Sequence, residues 1–525
     1  MTYVLPFLIS FSLAGLLAWL ISKLARRWQI VDQPGARKIH QAPVPLLGGV
    51  AVFISFFATL FIYTDRFLAG NLGWRHLLGF FIGGLVLIIG GALDDKYNLP
   101  PKSQIIFPLL AVLAVIIGGV EIEKITNPFG GYLNLRELFW LGPILILLWL
   151  LGMMYTTKLL DGVDGLVTGI GAIGSLIIFL FTLTTKYYQP DIAFAALLLA
   201  GAALGFLIFN FHPAKIFLGE GGSLFFGYAL GVLAIISGGK IAIALLIMGI
   251  PILDVAWTIL RRLYQGKNPF RFADKKHLHH RLLNLGFSQR QTVAVFYGLS
   301  LIFGVSGLFL QSRGKFFALG ALLVIMLFIV LALRHLDRRQ EKKKPSLLLH
   351  ICCAPCGTYI SRDRLLPRYR VTWFFYNPNL ASQEEYDKRL KYVRLMAKQL
   401  NISLIEVPYD HASWQDKVRG REQDPERGSR CLICYLDRLR ETARLAKEKG
   451  FDFFGTTLTV SPYKDVEAIK KLAADLEERN GVKFLAEDFQ AEDGYHKSQE
   501  LAKELNLYRQ KFCGCEYSIK QKNDK

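Results

Sequence analysis

The chain has 525 residues, of which 52% are hydrophobic, and it carries 62 lysine and arginine residues against 42 aspartate and glutamate residues, a formal net charge of +20. The length excludes a single small core, since domains usually hold about 100–200 residues, and the hydrophobic content excludes an ordinary soluble protein. The positive charge suits anionic lipid head groups, phosphorylated substrates or nucleic acid, without choosing among them.

Apolar segments fill the first two thirds of the chain. A window of about 19 residues predicts about eleven membrane spans, at 3–24, 46–64, 76–93, 105–120, 138–157, 166–185, 192–211, 224–237, 240–259, 292–310 and 316–333. Arg26 and Arg27 follow the first segment rather than precede it, which disfavours a cleaved signal peptide. Basic residues cluster near 26–38, 260–291 and 334–344, so the positive-inside rule places the amino terminus outside and the carboxyl terminus inside.

Residues 331–356 pass from the end of an apolar helix through a basic spacer to a strand that is followed by three thiols. We therefore predict a polytopic membrane domain at 1–335, a basic linker at 336–345 and a soluble domain at 346–525. This organisation predicts a multi-pass protein of the cytoplasmic (inner) membrane, in contact with membrane lipids, whose carboxyl-terminal domain lies in the cytoplasm. All seven cysteines fall at or after Cys352, and this odd count is a poor disulfide framework, so reduced thiols are expected.

Acidic residues concentrate at the predicted inside ends of the spans. A carboxylate at bilayer depth costs about 2.5–3.5 kcal/mol, so these residues are expected to serve a purpose. Several acids at one surface, together with substrate phosphates, suit Mg²⁺, and the glycines beside them allow a phosphate to approach the backbone. The acids are Asp94, Asp95, Asp161, Asp164 and Glu220, and a further group runs from Asp274 to His280.

Five motifs in this half keep a fixed order: Asp32-Gln-Pro-Gly-Ala-Arg37-Lys38-Ile-His40, Gly91-Ala-Leu-Asp94-Asp95, Leu160-Asp161-Gly162-Val163-Asp164-Gly165, Asn210-Phe-His-Pro213-Ala-Lys215-Ile-Phe-Leu-Gly219-Glu220-Gly-Gly-Ser223 and His277-Leu-His279-His280-Arg281-Leu282. From the first span to about residue 335, this half resembles the polyprenyl-phosphate N-acetylhexosamine-1-phosphate transferases, relatives of the muramoyl-pentapeptide translocase. The resemblance implies that undecaprenyl phosphate attacks the β-phosphorus of a UDP-N-acetylhexosamine on Mg²⁺ and releases UMP.

The resemblance also implies roles for individual residues. Asp94 would be a general base or would organise the lipid phosphate, and Asp95 and Glu220 would hold Mg²⁺. Asp161 and Asp164 would serve the nucleotide, and His279 the diphosphate; these six are the predicted catalytic residues. The predicted substrate-binding residues of this half are Lys38, Lys158, Asn210, Lys215, His277, His280 and Arg281.

Three positions depart from the family pattern. Lys158 stands where the family usually has asparagine, Glu220 replaces the usual aspartate, and Gly221 follows it. The ammonium of Lys158 would either neutralise a diphosphate oxygen as a point charge or replace part of the work of the metal.

After Pro345 the pattern changes to short β-rich runs at 347–351, 371–376, 402–407 and 451–457, with helical stretches at 384–400 and 436–448 between them. This pattern predicts a doubly wound, parallel α/β sheet of the HUP or Rossmann-like type, with ligands at the carboxyl ends of the strands. Seven thiols exceed the four that one iron–sulfur cluster or one structural zinc requires, which indicates a second metal or a redox thiol. They are Cys352, Cys353, Cys356, Cys431, Cys434, Cys513 and Cys515.

The motifs of this half are His350-Ile-Cys352-Cys353-Ala-Pro-Cys356, Cys431-Leu-Ile-Cys434-Tyr435, Arg438-Leu439, Thr456-Thr457-Leu458, Ser461-Pro462-Tyr463-Lys464-Asp465 and Leu507-Tyr508-Arg509-Gln510-Lys-Phe-Cys513-Gly-Cys515. They resemble the cobalamin-independent, QueH-type epoxyqueuosine reductases. The resemblance implies a 4Fe–4S cluster with an additional iron, held by the seven thiols, that removes the epoxide oxygen of epoxyqueuosine in tRNA; the electron donor stays open. Gln490 stands where arginine is expected.

An extruded base is read by stacking and hydrogen bonding, while lysine and arginine meet phosphate. The predicted tRNA contacts are therefore Thr456, Ser461, Tyr463, Lys464, Tyr508 and Arg509. Two alternatives from other classes are a transporter-like or inactive membrane anchor in the first half, and a zinc-stabilised RNA-binding or thiol-redox module in the second.

Overall fold

The computed structural model describes residues 3–34, 40, 42–70, 72–127, 129–135, 140–184, 188–237, 241–264, 277–510 and 512–518. The chain forms two compact units, Met1–Leu333 and Arg334–Lys525. Lys38 and Asp274 lie outside the described residues.

The first unit is built from helices packed around one apolar core. Its helices are α1 Val4–Arg27, α2 Gly48–Ile62, α3 Thr64–Phe67, α4 Trp74–Tyr97, α5 Pro101–Gln104, α6 Ile106–Ile117, α7 Leu141–Leu160, α8 Leu166–Thr182, α9 Pro190–Asn210, α10 Gly219–Ile236, α11 Ile241–Ile247, α12 Gly249–Tyr264, α13 Leu278–Asn284, α14 Gln289–Phe309 and α15 Ser312–Lys343. Two short antiparallel ribbons pair β1 Val31–Asp32 with β2 Val44–Pro45 and β3 Lys124–Thr126 with β4 Tyr132–Asn134.

The predicted spans overlap apolar helices, with two helices, α11 and α12, at 240–259, and the helical membrane character of this unit is confirmed. Seven of the described helices are long and apolar enough to cross a membrane, and α11 with α12, bent by 79°, would make an eighth. The apolar helices at α2, α5–α6 and α8 are shorter, so a count of eleven crossings stays a prediction. The predicted basic linker at 336–345 is helical as far as Lys343, because α15 continues to that residue.

Glycines bring three helices unusually close together beside the predicted acids. A Cβ atom at Gly91 on α4 would lie 2.0 Å from the backbone nitrogen of Gly221 on α10. Likewise, a Cβ atom at Gly49 on α2 would lie 2.2 Å from the Cα atom of Gly222. The glycines that follow Glu220 therefore serve helix packing, which fixes the backbone from which the Glu220 side chain extends.

The second unit contains a five-stranded parallel sheet, which confirms the predicted sheet domain. Its strands are β5 Ser346–His350, β6 Arg370–Phe375, β7 Ser403–Glu406, β8 Phe453–Thr456 and β9 Lys483–Phe484, in the spatial order β7-β6-β5-β8-β9. Its helices are α16 Ala354–Tyr359, α17 Gln383–Leu400, α18 His411–Val418, α19 Ser429–Glu448, α20 Val466–Asn480 and α21 Gly494–Glu504. A π-helical turn at Ile360–Leu365 and two 3₁₀ turns, Thr457–Val460 and Ala491–Asp493, complete the unit.

Helices cover both faces of this sheet. Leu347 and Leu349 of β5 pack on one side with residues of α17 and α21, whereas Leu348 packs on the other side with residues of α19 and α20. All three leucines are fully buried, as expected when a parallel strand is covered on both faces. The strand order reverses between β5 and β8, and ligands bind at such a switch point beyond the carboxyl ends of the strands.

Local capping fixes the helices around this sheet. The hydroxyl of Ser382 accepts a hydrogen bond of 3.2 Å from the backbone of Glu385 and starts α17, which ends at Asn401 in the left-handed conformation. The carboxylate of Asp465 caps α20 in the same way, at 2.9 Å from the backbone nitrogen of Ala468. Such caps each stabilise a helix by about 1 kcal/mol.

The close helix crossing generates a prediction. We expect Gly91→Ala to destabilise the membrane unit by about 1–3 kcal/mol, as overpacking generally does, and so to lower the melting temperature of the purified chain in detergent. Gly152→Ala on α7 is the matched control, because no described atom lies within 4 Å of a Cβ atom there. Equal melting temperatures for the two variants would contradict the close packing of α4 on α10.

Candidate functional site

The acids of the first unit extend from three separate elements. Asp94 and Asp95 lie in the last turn of α4, Asp161 and Asp164 in the loop after α7, and Glu220 in the first turn of α10. The backbone nitrogen of Glu220 donates a 3.0 Å hydrogen bond to Asp95, which places a carboxylate at the positive end of α10.

Only glycine fits beside this contact. Gly219 has φ +72°, and a Cβ atom there would lie 2.2 Å from the Oδ2 atom of Asp95. Both the left-handed backbone and the lack of space thus require the glycine. The Gly-Glu-Gly-Gly motif is therefore explained by local geometry.

A polar chain connects Asp94 to Glu220. The side-chain amide of Gln104 donates to Asp94 at 3.0 Å, and the ammonium of Lys158 donates to the Gln104 carbonyl oxygen at 3.0 Å. The same ammonium forms a close ion pair with Glu220. Gln104 was not predicted as a site residue, because its partners Asp94 and Lys158 are distant from it in the chain.

Asp161 experiences the charge of the other acids. Crowding by protein, followed by the charges of Glu220, Asp95 and Asp164, raises the pKa of Asp161 to about 8. Asp161 itself is exposed to solvent. The neighbouring negative charges therefore oppose ionisation of Asp161.

Asp164 and Asn210 hold the loop between α9 and α10. The Oδ2 atom of Asp164 lies 2.8 Å from the ring nitrogen of His212 and accepts from the backbone of Ala214 at 3.1 Å. Asn210 is buried and bonds Thr168 and the backbone of Ile216. These contacts explain the two residues structurally, and their predicted catalytic and substrate roles stay predictions.

His279 is buried against the Asp161 loop. It is 1% exposed, and its Nε2 atom would lie 2.8 Å from a Cβ atom at Gly162. Burial, and then the neighbouring His280 and His277, hold the pKa of His279 well below its usual range, so its ring is neutral. Its Nδ1 atom has no hydrogen-bond partner among the described residues.

His277 is held by an acid that the sequence analysis missed. The carboxylate of Asp254, in α12, lies 2.9 Å from the ring of His277 and accepts from the backbone of Leu278 at 2.9 Å. The ring of His277 stacks on that of His279 at 5.7 Å. His280 and Arg281 are partly buried on α13, and Lys215 is exposed.

Three thiols of the second unit meet where β5 ends. The ligand atoms of Cys352, Cys353 and Cys356 lie within 4.8 Å of one another, the only such metal-type group among the described residues. Hydrogen bonds from the Cys353 and Cys356 thiols hold the pKa of Cys352 well below its usual range. The group therefore favours one shared negative charge.

The other four thiols line a second, neighbouring pocket with Arg438 and Lys464. They are Cys431 and Cys434 at the start of α19, and Cys513 and Cys515. Lys464 donates to the Cys513 sulfur at 2.6 Å, and Arg438 to the Cys434 sulfur at 3.1 Å. Three thiols thus lie within 4.8 Å of one another, and the other four line the neighbouring pocket.

Some of the predicted tRNA contacts are hydrogen-bonded to other residues of the domain, and others are exposed to solvent. Thr456 bonds the ring of His350 at 2.9 Å, and Tyr508 donates to Glu385 at 2.9 Å. Ser461 is partly buried, and its hydroxyl accepts from the backbone of Tyr463 at 3.3 Å. Tyr463 is 62% exposed, and Arg509 is exposed.

Two residues complete the surroundings of the Tyr463 loop. Gln490 donates to the backbone oxygen of Ser461 at 3.0 Å and so helps to hold the loop. Tyr495, which the sequence analysis missed, meets Tyr463 edge to face at 6.3 Å. Burial, and then Tyr463 and the Cys356 thiol, raise the pKa of Tyr495.

Two family models match the chain, one in each unit. The model for Glycosyl transferase family 4 matches residues 77–238, and the model for epoxyqueuosine reductase QueH matches residues 347–521. The matched ranges contain most of the acids of the first unit and all the thiols of the second.

Named relatives agree with this division. A probable undecaprenyl-phosphate N-acetylglucosaminyl 1-phosphate transferase of Bacillus subtilis is 32% identical over 352 residues, which cover 65% of this chain and 94% of the relative. An epoxyqueuosine reductase QueH of Streptococcus pyogenes is 36% identical over 187 residues, 34% of this chain and 73% of the relative. A decaprenyl-phosphate N-acetylglucosaminephosphotransferase of Mycobacterium tuberculosis is 30% identical over 325 residues, 56% of this chain and 79% of the relative.

The site and these matches define a fusion of a membrane transferase with an oxidoreductase domain of tRNA modification. The chain belongs to the polyprenyl-phosphate N-acetylglucosamine-1-phosphate transferases of Glycosyl transferase family 4 through its first unit, and to the QueH epoxyqueuosine reductases through its second. Both predicted resemblances are confirmed.

The buried histidine pair generates a prediction. We expect Asp254→Ala to leave two buried donors without a partner and to loosen α13, so that chemical modification of His279 by diethyl pyrocarbonate rises several-fold, as read by mass spectrometry. Exposed His496 is the internal reference, and Asp65→Ala, at an exposed aspartate of α3, is the control. Unchanged labelling of His279 would show that Asp254 does not hold it.

Proposed function

We propose that the first unit transfers N-acetylhexosamine 1-phosphate from a UDP-sugar to undecaprenyl phosphate. A lipid phosphate oxygen attacks the β-phosphorus of the UDP-sugar, the bond from that phosphorus to the bridging oxygen breaks, and UMP leaves. The observation that carries the proposal is the buried, neutral His279 beside the Asp161 loop, with a nitrogen that no described residue satisfies. A neutral imidazole can donate one hydrogen bond to a phosphate oxygen.

The acids suit the positioning that phosphoryl transfer requires. Asp94 is oriented by Gln104 and by the backbone of Leu99, which supports a role as general base or organiser of the lipid phosphate. Asp161 and Asp164 would serve the nucleotide. The proposed topology has eleven crossings of the cytoplasmic membrane, with the second unit in the cytoplasm.

Mg²⁺ does not fit at Glu220 in this arrangement. Mg²⁺ needs a near-octahedral set of oxygen ligands at about 2.0–2.1 Å. Glu220 is already paired with Lys158 and Asp95 accepts from the Glu220 backbone, so a divalent ion at Glu220 would have to displace the ammonium. The proposed steps are therefore not routed through a metal at Glu220.

We also propose that the second unit reduces epoxyqueuosine to queuosine in tRNA. Removal of the epoxide oxygen consumes two electrons and two protons and releases water; the electrons come from a separate donor. The seven thiols are the residues that would hold a 4Fe–4S cluster and an additional iron, because thiolates are the usual ligands of such clusters, and three of them lie within 4.8 Å of one another. When bound, these groups would supply the electron transfer. We infer a HUP-like arrangement for the sheet from its strand order.

The open residues near the thiols suit an extruded base. Tyr463, in the loop after β8, and Tyr495, in the first turn of α21, present aromatic surface, and exposed Arg509 offers charge for phosphate. Stacking on aromatic rings and contact of phosphate with arginine are the usual means of reading single nucleotides.

For the transferase, Asp161→Asn removes a charge at almost unchanged size. We expect UMP release from UDP-N-acetylglucosamine with undecaprenyl phosphate to fall about 100-fold or more, the effect of losing one preorganised electrostatic group. Asp65→Asn is the control. An undiminished rate with Asp161→Asn would reject the role of Asp161, and no UMP release from any UDP-sugar would reject the proposed transfer.

For the reductase, we expect Cys352→Ser and Cys434→Ser each to lower the iron content of anaerobically purified protein, because each removes a ligand from a different thiol group. Reduction of epoxyqueuosine in tRNA should fall with the iron, whereas the melting temperature should change little. Zinc in place of iron in the wild-type protein, or full iron in both variants, would contradict this function.

A further inference from the structure

The ammonium of Lys158 lies between Gln104 and Glu220 in the first unit. It is 3.0 Å from the Gln104 carbonyl oxygen and forms a close ion pair with Glu220. The side chains of Lys158 and Glu220 are 21% and 17% exposed, so the pair is sheltered but still reachable from solvent. Charges that are partly removed from water attract more strongly than charges on an open surface.

The backbone gives Glu220 little freedom to leave this pair. Gly221 and Gly222 are packed against Gly91 and Gly49, and the Glu220 nitrogen donates to Asp95. Lys158 is equally constrained, because it belongs to the last turn of α7. Helix packing therefore directs the two charged groups toward each other.

The pair is not required to join its two helices. A Cβ atom at Gly227 of α10 would lie 2.4 Å from the backbone oxygen of Met153 on α7. This backbone contact already packs α7 on α10 without Lys158. A purely structural bridge would therefore add little, while burying two charges costs desolvation energy.

We propose that Lys158 is a resident cation that replaces a divalent ion at Glu220. An ammonium has three donors, of which one meets Glu220 and one meets Gln104, and its open side can meet an anionic ligand. Resting on the proposed function, that ligand is the diphosphate of the sugar nucleotide. The diphosphate then contacts the single positive charge of Lys158 in place of a metal ion bound to Glu220.

The test measures binding of Mn²⁺ alone to the purified full chain by electron paramagnetic resonance. We expect weak binding in the wild type and a gain of about tenfold or more in Lys158→Asn, because Glu220 becomes available. The gain should vanish in Lys158→Asn combined with Glu220→Gln. Lys96→Asn, which removes an exposed lysine next to Asp95, should show no gain. Lys158→Gln is the second variant if Lys158→Asn fails to fold.

Three outcomes of this titration would overturn the proposal: wild-type binding as tight as that of Lys158→Asn, a gain that persists when Glu220 is neutralised, or an equal gain in Lys96→Asn. UDP binding in EDTA tests the diphosphate contact, and we expect it to weaken about fivefold or more in Lys158→Asn and to be retained in Lys158→Arg. Equal UDP affinities would reject that contact. Neither readout needs turnover, so a failure of the proposed transferase activity is distinguished from a failure of this inference.

Discussion

Repulsion between acidic groups is the constraint on which both sites of this chain depend. In the first unit, crowding by protein and then the neighbouring carboxylates raise the pKa of Asp161, and the ammonium of Lys158 offsets the charge of Glu220. In the second unit, Lys464 approaches the sulfur of Cys513. Each unit thus gathers groups that repel one another when ionised and places a sheltered lysine beside one of them. A cationic or metal ligand would relieve the remaining repulsion.

Close backbone packing fixes the positions from which the charged and thiol side chains extend. In the first unit, glycines let α2, α4 and α10 approach closely, and this packing fixes the backbone of Glu220. In the second unit, the end of β5 places Cys352 beside the switch point of the sheet, and the start of α19 brings Cys431 into the neighbouring pocket. Function therefore depends on backbone geometry as much as on the reactive side chains.

Much of this arrangement could be predicted from the sequence, because hydropathy marks apolar helices and β-rich runs mark buried strands. The two families could also be predicted, because their motifs are long and ordered. The two-residue strand β9 was missed, since so short a run gives no periodic signal. The split of the thiols could not be read from spacing, because the return of Cys513 and Cys515 to α19 is a tertiary contact.

The acids could be predicted because a charge near an apolar segment is conspicuous. The residues that pair with the site residues could not be predicted. Gln104 and Asp254 were not predicted as site residues, because each contributes only through its hydrogen bond to a residue distant in the chain. The pairing of Lys158 with Glu220 depends on the crossing of α7 and α10, which sequence patterns do not specify.

We infer that two separate active sites share one chain without sharing chemistry, since a lipid phosphate and a folded tRNA exchange no intermediate. The most direct test inserts a protease site between residues 339 and 344 and compares the intact and cleaved chains. We predict unchanged UMP release and unchanged iron content and tRNA reduction after cleavage. A loss of about tenfold or more in either activity would show that the two units are coupled and would contradict the account.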